Sequence, residues 1–312
     1  ILKGVNRQIV RVTFAEISAN AINKAISLPR QLDSHLVGAG LARSLLDKLV
    51  GFKGSPLVWN LGAKSVGRVQ SAVLHLVCDR EQEIKNFKPI NYFSVFTDYR
   101  EGFKAYFNQQ EADDSEENVR ESSRIYLEAE AKRIVKSAQN NTHTISRIDY
   151  QNHSKAPPPP FITSSIQQAS GSKLGLSPDQ TMKLAQTLYE KGLITYMRTD
   201  STILSEEFCE ATRAWLQAKD PDNVPRITTK FRKSKGAQEA HEAIRPSNLN
   251  YPSVKLKQEI SDAEFKLYLL IWKRAIASQC AQSIINKTTV SIKSADLTWI
   301  AKGQVIEFLG YA

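Results

Sequence analysis

The sequence predicts an α+β protein of several domains, in which helical domains accompany a β-rich domain with a further helical domain inserted in it. Three observations predict this. Apolar residues recur at helical spacing from Phe14 to Ile84. Alternating aromatic and β-branched residues begin after Asn91 and return after Asn286. Between those two stretches the chain opens on Pro157, Pro158, Pro159 and Pro160 and then follows a helical pattern. At 312 residues the chain is roughly two to three times a typical domain, which leaves room for this organisation.

In order along the chain, residues 9 to 13 (IVRVT) predict a short strand, and Phe14 to Ser27 predicts a helix with Phe14, Ile17, Ala21 and Ile22 on one face. Leu41 to Val50 predicts a second, with Leu41, Leu45, Leu46 and Leu49 aligned and Gly51 as its C-terminal cap. A third, long helix follows Ser65, its expected N-cap, and aligns Val69, Val73, Leu76 and Ile84. Tyr92 to Tyr99, Phe103 to Phe107 and Thr144 to Tyr150 are expected strands, with a helix over Tyr126 to Gln139. The intervening QQEADDSEENVRESS is acidic and nearly free of apolar residues, which predicts a solvated loop.

After the prolines, Phe161 to Ser170 predicts a helix. Ser177-Pro178-Asp179-Gln180 supplies an N-cap, an N1 proline and an N3 glutamine for the next, which ends near Gly192. Leu204 to Ala218 and Ser261 to Gln282 follow, the latter with a capping box of Ser261 and Glu264 and a face of Phe265, Leu269, Trp272 and Ile276. TTVSIK and LTWIAKGQVIEF are late strands expected to rejoin the earlier sheet. The expected divisions are 34–87 helical, 88–155 β-rich, 156–282 inserted and helical, and 283–312 β-rich again, with 1–33 the tail of something that precedes them. The opening on Ile1 leads us to expect a piece of a longer protein.

Composition narrows the function. No stretch approaches the eighteen apolar residues of a membrane span, and no charged-then-apolar leader follows Ile1, so secretion and membrane insertion are disfavoured. Cys78, Cys209 and Cys280 are odd in number and far apart, which fits three core thiols in a reducing compartment better than a disulfide framework or a zinc site. The balance of 42 Lys+Arg against 32 Asp+Glu leaves +10, an excess that draws in polyanions, nucleic acid foremost.

Four stretches carry side chains with chemical potential. In GLITYMRTDS, an extended backbone would put Tyr196 and Arg198 on one face. A phenol of ordinary pKa near 10 is mostly neutral at pH 7, and a fixed cation beside it favours the phenolate and stabilises a transferring phosphoryl group. EAHEAIRP brings His241, two carboxylates and Arg245 together, although the second His of a zinc H-E-x-x-H motif is absent. At the third helix, Ser65, Val66, Gly67, Arg68, Val69 and Gln70 offer helix-start amides, close backbone approach and a cation to a phosphate. Upstream, Arg43 and Asp47 share a face and Trp59 is suited to stacking on a base. Taken singly, each stretch also fits a surface pair, a polar helix end or an ordinary cap. The basic run RITTKFRKSK fits either a DNA-contacting loop or a solvated charge run.

Together and in this order, SVGRVQSAVLHLVCDREQEIKNF, PPPFITSSIQQAS, LYEKGLITYMRTDSTILS and AQEAHEAIRPS resemble the signature segments of type IA DNA topoisomerases, bacterial topoisomerase I foremost. The resemblance runs over essentially the whole chain. It implies a toroidal core with a β-rich hinge, and Tyr196 as the nucleophile that forms a 5′-phosphotyrosine in single-stranded DNA without ATP. It implies that Arg198 steadies the phosphate and that His241 assists. Arg43, Ser44, Asp47, Phe52, Trp59 and Ser65 to Gln70, with Arg198, would line the single-strand groove. The implied partners are single-stranded and negatively supercoiled DNA, bound by a monomer with no membrane association, in the cytoplasm at the nucleoid or in an organelle.

Two positions depart from the pattern. Ser44 stands where a second Arg often follows Arg43, and Phe52 where Tyr is frequent. The Toprim domain that holds Mg²⁺ in this family is represented only by residues 1–33, and Asp220-Pro221-Asp222 follows no strand, so no metal residue is assigned in this chain. Alone, the chain is therefore expected to bind single strands but relax poorly or not at all. A non-catalytic single-strand binding module is the alternative.

Overall fold

The computed structural model describes residues 10–108, 123–227, 231, 242–250 and 254–312. All but the last residue of the acidic loop expected at 109–123, and most of the basic run at 226–235, lie outside them. The contacts divide the chain into two units: residues 1–11 with 29–92, and residues 12–28 with 93–312.

The first unit is built on two helices, α2 (Ser34–Trp59) and α3 (Arg68–Asn86). Asp33 starts α2 by accepting from the amide of Leu36 at 3.0 Å. The helix runs through Gly51, the expected stop. A glycine inside a helix costs about 1 kcal/mol relative to alanine but ends it only where the chain turns left-handed. That turn comes at Gly62, at φ +80°, in the loop that follows. The N-cap of α3 is Gly67 rather than Ser65, and it provides no side-chain bond. Neither helix buries a single residue. Cys78 is exposed, against the expectation of three core thiols; Cys209 is half-buried and Cys280 buried.

The second unit combines a sheet with a helical body. Its α1 (Ala19–Ser27) begins five residues later than periodicity predicts, because Ser18 caps it by accepting from Ala21 at 3.2 Å. The strands are β1 (Phe96–Asp98), β2 (Lys104–Asn108), β3 (Thr144–Lys155), β4 (Ser283–Ser294) and β5 (Leu297–Phe308), ordered β1-β2-β5-β4-β3. Every pairing is antiparallel. The late strands sit between the early ones, and Lys155 is the direct partner of Ser283, so the chain leaves the sheet and re-enters it at neighbouring positions. α4 (Glu128–Asn140) covers the sheet with Ala131 and Ile134, packed with Phe107, Ile292 and Trp299.

The α+β class holds, but the implied toroid does not. Among the described residues the sheet is open: β1 and β3 are its edges, each with a single neighbour, and a three-residue β1 could not pair along a twelve-residue β3 to close it.

Between β3 and β4 lie α5 (Thr163–Leu174), α6 (Pro178–Glu190), α7 (Glu206–Lys219), α8 (Val254–Glu259) and α9 (Asp262–Ala277). Local signals set their starts. Ser177 and Gln180 form a reciprocal capping box with Pro178 at N1, Ser205 caps α7, and Ser261 with Glu264 boxes α9. Their apolar faces meet in one core: Ile166, Leu188, Leu216, Leu267, Ile271 and Trp272. Ile194, Met197 and Ile244 belong to the same core, which carries the loops at 192–201 and 242–247 on a rigid base.

Candidate functional site

Gly192 ends α6 at φ +71°, and a Cβ there would stand 2.5 Å from the carbonyl oxygen of Ile17, so only glycine admits both the turn and the approach. The chain then alternates. Met197, Thr199 and Ser201 are buried, whereas Tyr196 is half-buried and Arg198 and Asp200 are exposed. The phenol and the guanidinium thus lie on the outer side of a segment anchored by Met197.

The anchoring is by hydrogen bonds on both flanks. The Tyr196 amide donates to the carbonyl of Ala15 at 2.8 Å, and that of Thr195 to the carbonyl of Arg245 at 2.9 Å. The Thr195 hydroxyl donates to the Ala243 carbonyl at 2.7 Å and accepts from the Arg245 amide at 2.9 Å. The Tyr189 ring meets the Tyr196 ring edge-on, with centroids 5.3 Å apart. Burial, and to a lesser degree the proximity of the Tyr196 phenol, push the Tyr189 phenol above its ordinary value.

Beneath this loop lies a buried ionic cluster. Arg245 donates through Nε and Nη2 to both oxygens of Glu242 at 2.6 and 3.0 Å, and through Nη1 to Glu16 at 2.8 Å. Side-chain exposures are 10% for Arg245, 14% for Glu16 and 12% for Glu242. Burial works against the Arg245 charge, but the bonds and charges of Glu242 and Glu16 outweigh it and hold its pKa above the ordinary arginine value. Glu16 carries no sequence signal, because periodicity places it on a helix that starts only at Ala19. His241 lies outside the described residues.

All the expected groove residues except Arg198 lie in the first unit. Arg68 Nε donates to Asp47 at 2.8 Å, and Arg43 Nε stands 3.8 Å from the same carboxylate. The Arg68 bond, opposed by slight desolvation and helped by the charges of Arg68 and Arg43, holds Asp47 below the usual carboxylate range. The Val66 amide donates to Ser55 at 3.1 Å and the Gln70 amide group to Ser65 at 3.2 Å. Phe52 is 78% exposed, and Trp59, whose Nε1 donates to the Lys64 carbonyl at 3.1 Å, keeps 59% of its surface open. Ser44 and Val69 are likewise exposed.

No group of three or more His, Cys, Asp or Glu side chains among the described residues is arranged to hold a metal ion. The nearest largely enclosed carboxylates, Glu16 and Glu242, are already committed to Arg245, so the donor set does not fit Mg²⁺. No described helix is long and apolar enough to cross a membrane.

A family model described as DNA topoisomerase matches residues 31–312. The chain is 40% identical over 317 residues to DNA topoisomerase 1 of Rickettsia felis, covering 96% of this chain and 40% of the relative. It is 40% identical over 319 residues to DNA topoisomerase 1 of Campylobacter jejuni, covering 96% and 44%. The structure of full-length topoisomerase I from Thermotoga maritima superposes with a TM-score of 0.78 at 34% identity, over 96% of this chain and 49% of that one. The chain thus spans about two-fifths of the length of the curated relatives it matches.

Proposed function

Because this chain belongs to the bacterial type IA DNA topoisomerase family, we propose that it carries the strand-cleaving tyrosine of such an enzyme, Tyr196, together with the surface that guides a single strand towards it. The supporting observation is the geometry at 195–198: a phenol on the outer side of a loop gripped by backbone bonds on both flanks, two residues from an exposed arginine. A nucleophile is useful only if it is held in line with the bond it attacks.

In the proposed reaction the phenolic oxygen of Tyr196 gives up its proton and attacks a backbone phosphorus. An O–P bond to the tyrosine forms, the P–O3′ bond breaks, and the departing 3′-oxygen takes a proton to become a free hydroxyl. One phosphodiester replaces another, so the reverse attack reseals the strand with no nucleotide cofactor. Arg198 offsets the charge that builds on the phosphoryl oxygens. His241 is assigned an assisting role by the family pattern alone. Another strand passes while the break is open, which relaxes negatively supercoiled DNA. Mg²⁺, where the whole enzyme needs it, would be held by residues outside this chain, and the chain by itself is expected to bind single strands but to relax plasmid poorly or not at all.

On α2, α3 and the loop between them the phosphate-binding groups are Arg43, Arg68 and the amides from Ser65 to Gln70 other than that of Val66, which is bonded to Ser55, with Phe52 and Trp59 offering faces for bases. The deciding experiment is denaturing isolation of a DNA-linked peptide from the full-length protein. Tyr196→Phe removes one oxygen and should abolish covalent capture while leaving noncovalent affinity for single strands unchanged. Capture that survives the substitution refutes the assignment. Intact binding with neither capture nor relaxation in the wild type favours a non-catalytic binding module.

A further inference from the structure

The two grips on the backbone of Tyr196 come from parts of the chain that are far apart in sequence, and one guanidinium joins them. Ala15 holds the amide of Tyr196, while the stretch from Ala243 to Arg245 holds Thr195. Glu16, the neighbour of Ala15, meets Arg245 across a sequence separation of 229 residues. We propose that the Glu16–Arg245 pair is a positioning device for Tyr196: it locks the two backbone grips together and so fixes where the phenol points. This inference rests on Tyr196 being the nucleophile.

Three features favour positioning over contact with DNA or simple stabilisation. First, an arginine has five N–H donors, and each one here has a protein acceptor. Nε donates to Glu242, Nη1 to Glu16 and to the Pro246 carbonyl at 3.0 Å, and Nη2 to Glu242 and, at 3.5 Å, to the Ser205 hydroxyl. The Phe208 ring covers the guanidinium, its centroid 4.9 Å away. Nothing is left to bind a phosphate. Second, a buried ionic cluster is a poor way to gain stability, since apolar residues of similar volume often do as well or better. What it supplies is direction, because the planar fork of arginine fixes the angle of each carboxylate. Third, Glu16 is oriented from its other side as well. Its second oxygen accepts from the Ser18 hydroxyl at 2.7 Å, and Ser18 caps α1. The segment 15–18 therefore has its own anchor and transmits it to Tyr196 through Ala15 and through the tight approach of Ile17 to Gly192.

The test uses the full-length protein with Glu16→Gln, Glu16→Ala, Tyr196→Phe and Lys24→Ala. Single-turnover cleavage of a labelled single strand is followed over a range of DNA concentrations to separate the maximal rate from the half-saturating concentration. Lys24 also ties α1 to α7, through Glu207, but at the surface, with side-chain exposures of 61% and 75%. Its loss reports what a general loosening of α1 would do. The expected result is a maximal rate reduced about tenfold in Glu16→Gln and about 100-fold in Glu16→Ala. The half-saturating concentration and the folded fraction at the assay temperature should not change, and Lys24→Ala should behave as wild type. Should Glu16→Ala fail to fold, Glu16→Gln, which keeps the side chain's shape, carries the test. A wild-type maximal rate in the Glu16 variants, a change confined to the half-saturating concentration, or an equal slowing in Lys24→Ala overturns the proposal. Capture by Tyr196→Phe would instead remove the nucleophile assignment beneath it, so the two failures are told apart.

Discussion

The Tyr196 loop and the α2–α3 surface are built in opposite ways. Around Tyr196, backbone amides, a buried arginine and two largely enclosed carboxylates fix each residue from several directions. On α2 and α3 no residue is buried, and the candidate contact groups are mostly exposed side chains, held by surface bonds such as those of Arg68 to Asp47 and of Trp59 to the Lys64 carbonyl. The contrast matches two kinds of task. Attack on a phosphorus tolerates little displacement, so the nucleophile has to be held. Binding a strand of any sequence asks for charge and stacking faces that adapt, and rigidity there would gain little. Substitutions at the loop should therefore act on stability or on the rate of cleavage, and those on α2 and α3 on affinity and its dependence on salt.

The largest effect should come from Arg245→Ala. It leaves Glu16 and Glu242 buried without their cation, and losing one partner of a buried ionic cluster typically costs about 3–5 kcal/mol. Urea unfolding should show a lower midpoint. A loss below about 1 kcal/mol would mean that water reaches the cluster and that the loop is not held as described.

Next is Glu264, which boxes α9 by accepting from the Ser261 amide at 2.6 Å and takes a bond from Lys191 at 3.1 Å. Burial pushes its carboxyl up, but the bonds from the backbone amide and hydroxyl of Ser261 and from Lys191 win, and its folded pKa lies below the ordinary value. The folded state then binds fewer protons than the unfolded one around that pKa. The stabilisation is complete above the unfolded value of about 4.3 and is lost as pH falls through the folded one. Wild type minus Glu264→Gln should be worth about 1.5–3 kcal/mol at pH 7 and shrink towards pH 3. A difference that does not vary with pH would place the value of this contact in packing instead.

Trp59→Ala should weaken single-strand binding by about 1–3 kcal/mol if one base stacks there. Trp59→Phe loses only the bond to the Lys64 carbonyl and should keep most of the affinity. Equal losses in the two variants would shift the effect from stacking to the turn that this bond holds.

What the sequence made legible follows the same division between local and distant causes. The starts of α6 and α9 were readable because Ser177-Pro178-Asp179-Gln180 and Ser261 with Glu264 carry all their partners within one turn. Gly51 misled because a glycine marks a helix end only if its backbone turns left-handed, which no side-chain pattern reveals. The expectation at Ser65 failed for a related reason, since its side chain is engaged with Gln70 while Gly67 takes the cap. Tyr196 and Arg198 could be singled out from their chemistry and from the family resemblance. Glu16 could not, because its partner is 229 residues away and no periodicity links them. The toroid came from resemblance alone, and strand order is a long-range property that contradicted it.

The smallest expected effect sharpens the comparison most. Arg68 is bound to Asp47, whose carboxyl it holds below the usual range, but that carboxyl is at the surface. An exposed pair contributes little to folding, so Arg68→Ala should leave the unfolding midpoint where it was. If Arg68 meets a phosphate, the plot of log affinity against log salt for single strands should flatten by about 0.7, the contribution of one released counterion. Asp47→Asn should act in the opposite sense, because it frees both Arg68 and Arg43 from a competing anion and raises affinity at low salt. An unchanged slope in Arg68→Ala, together with a destabilised fold, would make this pair a structural tie like the one beneath Tyr196 and erase the distinction between the two regions.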